Sequence, residues 1–345
     1  MEVLDANQAR LIPSVPTRGN LLNVRDLTVH FRLDRERESN VLKQVSFAIG
    51  RSEIVGLLGE SGSGKTTMAL SSMRLLPENA SLRAGSLSFR GQDLLTLTER
   101  EMRNVRGLKI SIIHQDSDVL NPVLRAGHQV MEVLRTHRPA KAAQMRDEIY
   151  CLFAALGLSD CDRVYRAFPH QLSGGERRRV AIAQALVCKP HLVIADEPTA
   201  WLDAGTTSEI LSVFRQLREM YDTAFLLISH DPSALAIADR ILVMYAGEIV
   251  EDGPSREILE QPRQPYTCAL LQCRTQRGTS RQITTKPRSL PYIPGNAPDP
   301  SETPAGCAFS CRCTDRMEVC DQRHPELYAI SSSRSVRCLQ YEARS

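Results

Sequence analysis

A glycine-rich segment in the first fifth of the chain has the residue types of a phosphate-binding loop. The run Gly59-Glu60-Ser61-Gly62-Ser63-Gly64-Lys65-Thr66 fits the pattern G-x-x-x-x-G-K-[ST]. Its glycines let the backbone curl so that successive N–H groups point inward, and a helix beginning at the lysine adds its positive N-terminal end. In this pattern Lys65 reaches the β- and γ-phosphates of a nucleotide, and Thr66 binds Mg²⁺. The segment therefore predicts nucleotide binding.

Further polar groups occur directly after apolar runs that are typical of strands buried on both faces. They are Gln115, the pair Asp196-Glu197, and His230. The glycine-rich loop follows such a run as well, at residues 53–58. In parallel sheets, ligands bind beyond the carboxyl ends of the strands, so neighbouring strands would bring these groups to one edge. Position alone thus predicts a catalytic site.

The elements that must hold this site are predicted from the same apolar pattern. Buried strands that alternate with helices indicate a largely parallel α/β sheet. Alternating residues near 22–31 and 82–91 favour antiparallel strands, and apolar residues at helical spacing over 127–158 predict a helical insert. Ser173 followed by Glu176 has the pattern of a capping box at the start of a helix that must end before Pro190.

Length and composition limit the class of protein. A chain of 345 residues exceeds one typical domain, and 42 % hydrophobic residues suffice for a sizeable core. The net charge of +3 is too small to indicate an acidic partner. No apolar run approaches the ~18–20 residues of a membrane span, and residues 1–20 lack the apolar centre of a signal peptide. We expect a cytoplasmic protein whose membrane association comes through a partner.

A second motif narrows the class. Leu172-Ser173-Gly174-Gly175-Glu176 occurs in the same chain as the glycine-rich loop, and over roughly residues 20–260 the sequence resembles the ATPase subunits of ATP-binding cassette (ABC) transporters. The resemblance implies a P-loop α/β fold with a helical and an antiparallel β subdomain. The predicted organisation is a tail (1–20), an ATPase domain (21–262, helical subdomain about 116–172) and a C-terminal region (263–345).

The resemblance also assigns roles to single residues. Glu197 is expected to activate the attacking water, with His230 and Gln115 contacting the γ-phosphate; without the resemblance, an acidic turn and an ordinary histidine remain alternatives. Mg²⁺ is expected on Thr66, Gln115 and Asp196. Phe31 resembles the aromatic that stacks on adenine, although a core phenylalanine remains open. The expected ATP-binding residues are Phe31, Gly59, Glu60, Ser61, Gly62, Ser63, Gly64, Lys65, Thr66 and Thr67.

Two further segments of the family pattern imply that a second ATPase domain is needed. In the family, Ser173-Gly174-Gly175 caps the ATP held by a second ATPase domain, and Asp203 belongs to the conserved loop that follows the catalytic glutamate. The chain holds one set of motifs, so it is expected to pair. It departs from the family at His114, at residues 116–119 and at Trp201, none of which removes a catalytic group.

Five cysteines crowd the last 39 residues. This tail resembles the oligopeptide, dipeptide and nickel branch of the family, some members of which carry a [4Fe–4S] cluster. The resemblance implies Cys307, Cys313, Cys320 and Cys338 as ligands, with Cys311 as a bystander. Chemistry alone says that clustered thiolates favour a soft metal, and zinc or no metal stays open. A cluster behind a linker is expected to be structural and remote from ATP chemistry.

The resemblance implies the ATPase of an importer for di- or oligopeptides. Its partners would be a second ATPase subunit, identical or different, two permease subunits and an extracytoplasmic binding protein, with no nucleic acid. It would act at the cytoplasmic face of a bacterial inner membrane. Nickel or another small solute is an alternative cargo. A soluble ABC ATPase is a further alternative, although the spacing of the motifs leaves no room for a long coiled coil.

Overall fold

The computed structural model describes residues 19–34, 37–115, 120–200, 202–275, 292–302 and 304–344. Within them the strands are β1 (Asn20–Arg32), β2 (Glu38–Gly50), β3 (Ile54–Leu58), β4 (Ala80–Phe89), β5 (Gln92–Asp93), β6 (Ile110–Ile113), β7 (Leu192–Asp196), β8 (Ala224–Ser229), β9 (Arg240–Tyr245), β10 (Glu248–Pro254), β11 (Tyr328–Ser331) and β12 (Arg334–Val336). The helices in these residues are α1 (Lys65–Ser72), α2 (Glu99–Val105), α3 (Ala126–His137), α4 (Ala142–Ala155), α5 (Cys161–Arg166), α6 (Gly174–Leu186), α7 (Ala204–Tyr221), α8 (Ser255–Glu260) and α9 (Pro265–Thr275).

The larger sheet has the strand order β11-β12-β10-β9-β3-β8-β7-β6. Its members β9, β3, β8, β7 and β6 pair in parallel. Every residue of β3, β7 and β8 is buried, as their unbroken apolar runs predict. The predicted parallel α/β sheet is confirmed, and the carboxyl ends of β3, β8, β7 and β6 lie next to one another.

The second sheet is antiparallel, in the order β2-β1-β4-β5. A hydrophobic cluster joins it to one face of the larger sheet, with Leu22, Val24 and Leu87 from the small sheet and Leu57 and Leu226 from the large one. The antiparallel strands predicted near residues 22–31 and 82–91 are therefore present.

A group of helices covers the opposite side of the sheet. Helices α3, α4 and α5 contact one another, and α3 and α4 also contact α6. Their apolar residues belong to one cluster that also contains residues of β7 and β8. This confirms the helical insert expected over 127–158. No helix in the described ranges combines the length and apolar character that a bilayer span requires.

The C-terminal segment joins the ATPase domain. Strand β12 pairs antiparallel with β10, and β11 pairs antiparallel with β12, so both strands extend the larger sheet. A buried ion pair holds this edge, because Nη2 of Arg334 donates to Oε1 of Glu251 at 2.6 Å and neither side chain is more than 4 % exposed. Earlier in the segment, Arg312 forms an ion pair with Glu60 of the glycine-rich loop. A cluster behind a linker was expected to be remote from ATP chemistry, whereas the segment that carries the cysteines contacts the glycine-rich loop.

Candidate nucleotide-binding site

The glycine-rich loop connects β3 to α1, as the pattern predicts. Gly62 and Gly64 have φ values of 80° and 105°, in the left-handed region that favours glycine. A Cβ on Gly59 would overlap the carbonyl oxygen of Met244, so the loop packs tightly against β9. The buried Lys65 turns back across the loop, where its Nζ donates to the carbonyl oxygens of Gly59 (2.9 Å) and Glu60 (2.8 Å). The Lys65 ammonium therefore lies inside the loop, in the space where the phosphates of a nucleotide would bind.

Thr66 and Asp196 meet across the carboxyl ends of β3 and β7. The Thr66 hydroxyl donates to Oδ2 of Asp196 at 2.8 Å. Burial raises the pKa of the Asp196 carboxyl; the Thr66 hydrogen bond opposes this shift, and the nearby Glu197 carboxylate adds to it. Mg²⁺ in nucleotide sites is held by one or two carboxylates together with substrate phosphates and water. A hydroxyl beside a single carboxylate fits that donor set.

Glu197 and His230 lie together at the ends of β7 and β8. Oε1 of Glu197 accepts from the backbone N–H of His230 at 2.7 Å and lies 2.6 Å from its Nδ1. Ser229 donates its hydroxyl to Oε2 of the same carboxylate at 3.3 Å. The Glu197 side chain is 8 % exposed, whereas that of His230 is 52 % exposed. The carboxylate is therefore held at the floor of the site, with the imidazole above it in solvent.

Glu197 also has an unusual backbone. Its φ is 49°, a left-handed conformation that non-glycine residues rarely adopt. Its N–H donates to the carbonyl oxygen of Ile228 at 2.9 Å, and its own carbonyl accepts from Nη2 of Arg178 at 2.6 Å. Such strain persists only where surrounding contacts hold it, and it is frequent at active sites. These contacts aim the carboxylate at the edge of the sheet.

Arg178 is a buried residue beside the site that sequence reasoning missed. From α6 its guanidinium donates to the carbonyl oxygens of His114 (2.5 Å), Gln115 (3.1 Å), Glu197 and Pro198 (3.0 Å). The buried arginine thus ties the helix that follows Ser173 to the segments that carry the glutamine and the acidic pair. Its helix face, shared with the buried Ile182 and Ala185, indicates that the position is buried but does not identify these partners.

The Ser173 segment has the local structure that its sequence predicts. The Ser173 hydroxyl accepts from the Glu176 N–H at 3.2 Å, and the Glu176 carboxylate accepts from the Ser173 N–H at 2.9 Å. Ser173 and Gly174 are exposed, and a Cβ on Gly175 would meet no atom within 4 Å. The N-terminal end of α6 therefore presents an open surface of backbone amides to solvent.

The roles assigned to the remaining residues stay predictions. Gln115 is exposed one residue beyond His114, and Phe31 is half-buried on β1, against the cluster between the two sheets. Asp203 caps α7, since its carboxylate accepts from the N–H (2.9 Å) and the hydroxyl (2.7 Å) of Thr206. Trp201 and residues 116–119 lie outside the described part of the chain, as do residues 1–18 of the predicted tail.

The four predicted metal-binding cysteines lie close together. The Cys307 N–H donates to the carbonyl oxygen of Cys320 at 2.7 Å. Burial raises the pKa of Cys307 and of Cys313 to about 11, and the neighbouring cysteine sulfurs, including Cys338, add to the rise. Within the described ranges, however, no three His, Cys, Asp or Glu side chains are arranged to hold a metal. The [4Fe–4S] prediction is therefore not confirmed.

Comparison with known proteins agrees with this geometry. Residues 42–200 match the ABC transporter family model, and residues 250–320 match the model for the C-terminal region of oligopeptide/dipeptide transporters. A bacterial ABC transporter cassette solved as a dimer, MJ0796, is 28 % identical with a TM-score of 0.62, and the match covers 68 % of this chain and 99 % of that one. The fold and site therefore define an ABC-type ATPase.

Relatives that match along most of the chain identify its family. The dipeptide transport ATP-binding protein DppD of Bacillus subtilis is 38 % identical over 307 residues, which cover 88 % of this chain and 90 % of DppD. The oligopeptide transport ATP-binding protein OppD of Salmonella typhimurium is 37 % identical over 322 residues, or 93 % of each chain. The chain belongs to the family of ABC transporter ATP-binding proteins, and it is an ATPase.

Proposed function

We propose that this ATPase powers the import of dipeptides or oligopeptides through a membrane permease. The observation that carries the proposal is the match of both parts of the chain to one kind of protein. The cassette matches the ABC transporter model, and residues 250–320 match the model for the C-terminal region of oligopeptide/dipeptide transporters. Relatives named for dipeptide and oligopeptide transport match across both parts.

In the proposed reaction the chain's residues bind the triphosphate and Mg²⁺ and activate the attacking water. The loop amides and Lys65 hold the triphosphate. Thr66 and Asp196 hold Mg²⁺, which neutralises phosphate charge when it is bound. Glu197 accepts a proton from the attacking water, and His230, hydrogen-bonded to that carboxylate, contacts the γ-phosphate. The proposal is supported by the short contacts between Thr66 and Asp196 and between Glu197 and His230.

The proposed site is completed by a second ATPase subunit. The exposed amides at the N-terminal end of α6 are a suitable lid for a γ-phosphate held by a partner chain. The relative MJ0796 is described as dimeric, and as bound to ADP and Pi in a post-hydrolysis state. ATP would then close the pair, and hydrolysis at Glu197 would reopen it.

The proposed setting is the cytoplasmic face of a bacterial inner membrane. There the pair would contact two permease subunits, and an extracytoplasmic solute-binding protein would deliver the peptide. Support comes from the relatives, which are named as the ATP-binding proteins of peptide transport. Co-purification of the chain with integral membrane subunits tests this arrangement.

A metal on the cysteine-rich tail is a separate proposal with its own test. The donors would be Cys307, Cys313, Cys320 and Cys338, whose soft sulfurs suit iron or zinc once they are deprotonated. Anaerobic purification followed by iron and zinc analysis and a visible spectrum decides it. A colourless protein free of both metals ends the proposal and leaves the ATPase assignment intact.

Peptide import is tested by uptake in cells that lack the gene. Cells complemented with the wild-type chain are expected to take up a labelled dipeptide, whereas those carrying Glu197→Gln are not. Glu260→Gln on α8 is a matched control, because that exposed carboxylate pairs only with Arg256 among the described contacts. Uptake of nickel but not of dipeptide in the complemented cells would contradict the proposed cargo. Uptake unaffected by Glu197→Gln would contradict the proposed role.

A further inference from the structure

The C-terminal segment contributes an arginine to the glycine-rich loop. Arg312 lies in a 3₁₀ turn, Ser310–Arg312, and its side chain is 4 % exposed. Nη1 donates to Oε2 of Glu60 at 2.8 Å, and Nη2 donates to Oε1 at 3.1 Å. Two parallel bonds of this kind fix the direction of the carboxylate as well as its charge. Arg312 is thus bound to a residue 252 positions earlier in the chain.

The guanidinium is held from its other side too. Its Nε donates to the carbonyl oxygen of Pro294 at 2.9 Å, and Nη1 also donates to the hydroxyl of Tyr245 at 3.3 Å. Phe309 packs edge-on against Tyr245, with ring centroids 5.3 Å apart. The arginine is therefore fixed by the tail and by β9 before any ligand binds.

The backbone of Glu60 is held by the same group of side chains. Its N–H donates to the hydroxyl of Tyr266 at 2.8 Å. The Tyr266 ring lies 4.5 Å from that of Tyr245 and 5.4 Å from that of Phe309. A second region of the chain, α9, thus binds the same loop residue. Together these contacts clamp the side chain and the backbone of Glu60.

The negative charge of Glu60 makes these contacts important for nucleotide binding. Glu60 is the residue after Gly59, and its carbonyl accepts from the ammonium of Lys65, which holds the phosphates in the proposed reaction. A carboxylate this near to a triphosphate repels it unless a cation neutralises the carboxylate. Exposed ion pairs do this weakly, but the Arg312 side chain is only 4 % exposed, which strengthens its interaction with the partly exposed Glu60.

We propose that Arg312 is a positioning residue of the nucleotide site, which neutralises Glu60 and holds the glycine-rich loop open for the phosphates of ATP. The proposal rests on the ATPase function and names a part of the site outside the cassette motifs. It makes the C-terminal segment a condition for tight ATP binding. Arg312 acts through Glu60, so it changes affinity rather than the chemical step.

The test is a titration of the full-length chain with a fluorescent ATP analogue. Arg312→Gln leaves Glu60 unpaired, and we expect the Kd to rise by about tenfold, while kcat at saturating ATP stays within about threefold. The loss should shrink as salt is added, because the repulsion is screened. The double substitution Glu60→Gln/Arg312→Gln removes both charges and is expected to restore the Kd to within about threefold of wild type.

A structural role alone predicts a different pattern. In that case the double variant binds no better than Arg312→Gln, and salt has no effect; either result overturns the proposal. An unchanged Kd in Arg312→Gln overturns it as well. Should Arg312→Gln not fold, Glu60→Gln is compared with the double variant in the same titration. Equal affinities are expected, and a much weaker double variant contradicts the neutralising role.

Two further variants isolate the effect. Arg316→Gln is the matched control, because Arg316 belongs to the same segment but is half exposed and pairs with Asp321. It should bind ATP as the wild type does, and a tenfold loss there would contradict the proposal. Lys65→Ala should lose ATP binding altogether. If it does not, the assignment of the ATP site fails, whereas normal binding by Arg312→Gln alone defeats only this inference.

Discussion

Nδ1 of His230 lies 2.6 Å from Oε1 of Glu197, the same oxygen that accepts the backbone N–H of His230 at 2.7 Å. Because the two residues follow neighbouring strands, β8 and β7, the contact is set by the sheet. The imidazole of His230 therefore contacts the carboxylate from the solvent side. A phosphate bound above the carboxylate would lie within reach of the same imidazole. In the proposed reaction, Glu197 activates the water and His230 contacts the phosphate.

His230→Ala is expected to lower the rate of ATP hydrolysis by about 100-fold and to leave ATP affinity nearly unchanged. The imidazole is half exposed, so its removal should cost little stability. Steady-state ATPase assays and nucleotide titration measure the two effects. His191→Ala is a suitable control, because His191 precedes the amino end of β7, opposite the site. Equal losses in the two variants would contradict the assignment.

Asp196→Asn is expected to raise the Tm of the nucleotide-free protein and to abolish Mg²⁺-dependent hydrolysis. Burial raises the pKa of this carboxyl in the folded state above its unfolded value of about 3.8. The stability that its protonated form contributes is therefore fully present below the unfolded pKa and is lost as the pH rises through the folded pKa. An asparagine avoids this loss.

Thermal unfolding across pH checks the sign of this effect. The Tm advantage of Asp196→Asn over wild type should be smallest near pH 4 and should grow toward pH 7. Asp203→Asn provides the opposite control, because hydrogen bonds from Thr206 lower the pKa of that carboxyl. A variant less stable than wild type at pH 7 would show that the buried charge of Asp196 does not destabilise the fold.

Ser173→Arg is expected to slow hydrolysis by about 100-fold without changing the Kd for ATP of the isolated chain. A large cation on this open surface would block the lid that we propose for a partner's γ-phosphate. Loss of the N-cap alone costs about 1 kcal/mol, so the Tm should fall only slightly. Ser86→Arg, on the exposed part of β4, controls for the added charge. Normal turnover in Ser173→Arg would exclude the shared site.

The parts of the site that sequence reasoning identified share one property. Lys65, Asp196, Glu197 and His230 each follow an apolar strand within a few residues, and the parallel sheet brings the ends of such strands together. The capping box at Ser173 was equally predictable, since its two residues are three positions apart. Local pattern and sheet geometry were sufficient for these groups.

Arg178 and Arg312 were not predicted, because their partners are distant in sequence. The bonds of Arg178 to His114 and Gln115 span 64 and 63 positions, and no local pattern encodes them. The three-residue strand β12 is too short for a periodic signal, yet its pairing with β10 brings the tail onto the sheet. Long-range pairing of this kind also explains why the contact of the tail with the glycine-rich loop was not predicted.

The proposed catalytic role of Glu197 is tested most simply by comparing the hydrolysis and binding of ATP in wild type and Glu197→Gln. The substitution keeps the shape of the side chain but removes the group that accepts the proton from water. We expect ATP to bind with an unchanged Kd and Mg²⁺-dependent turnover to fall by at least about 100-fold. Near-normal turnover in Glu197→Gln would contradict the catalytic site described for this chain.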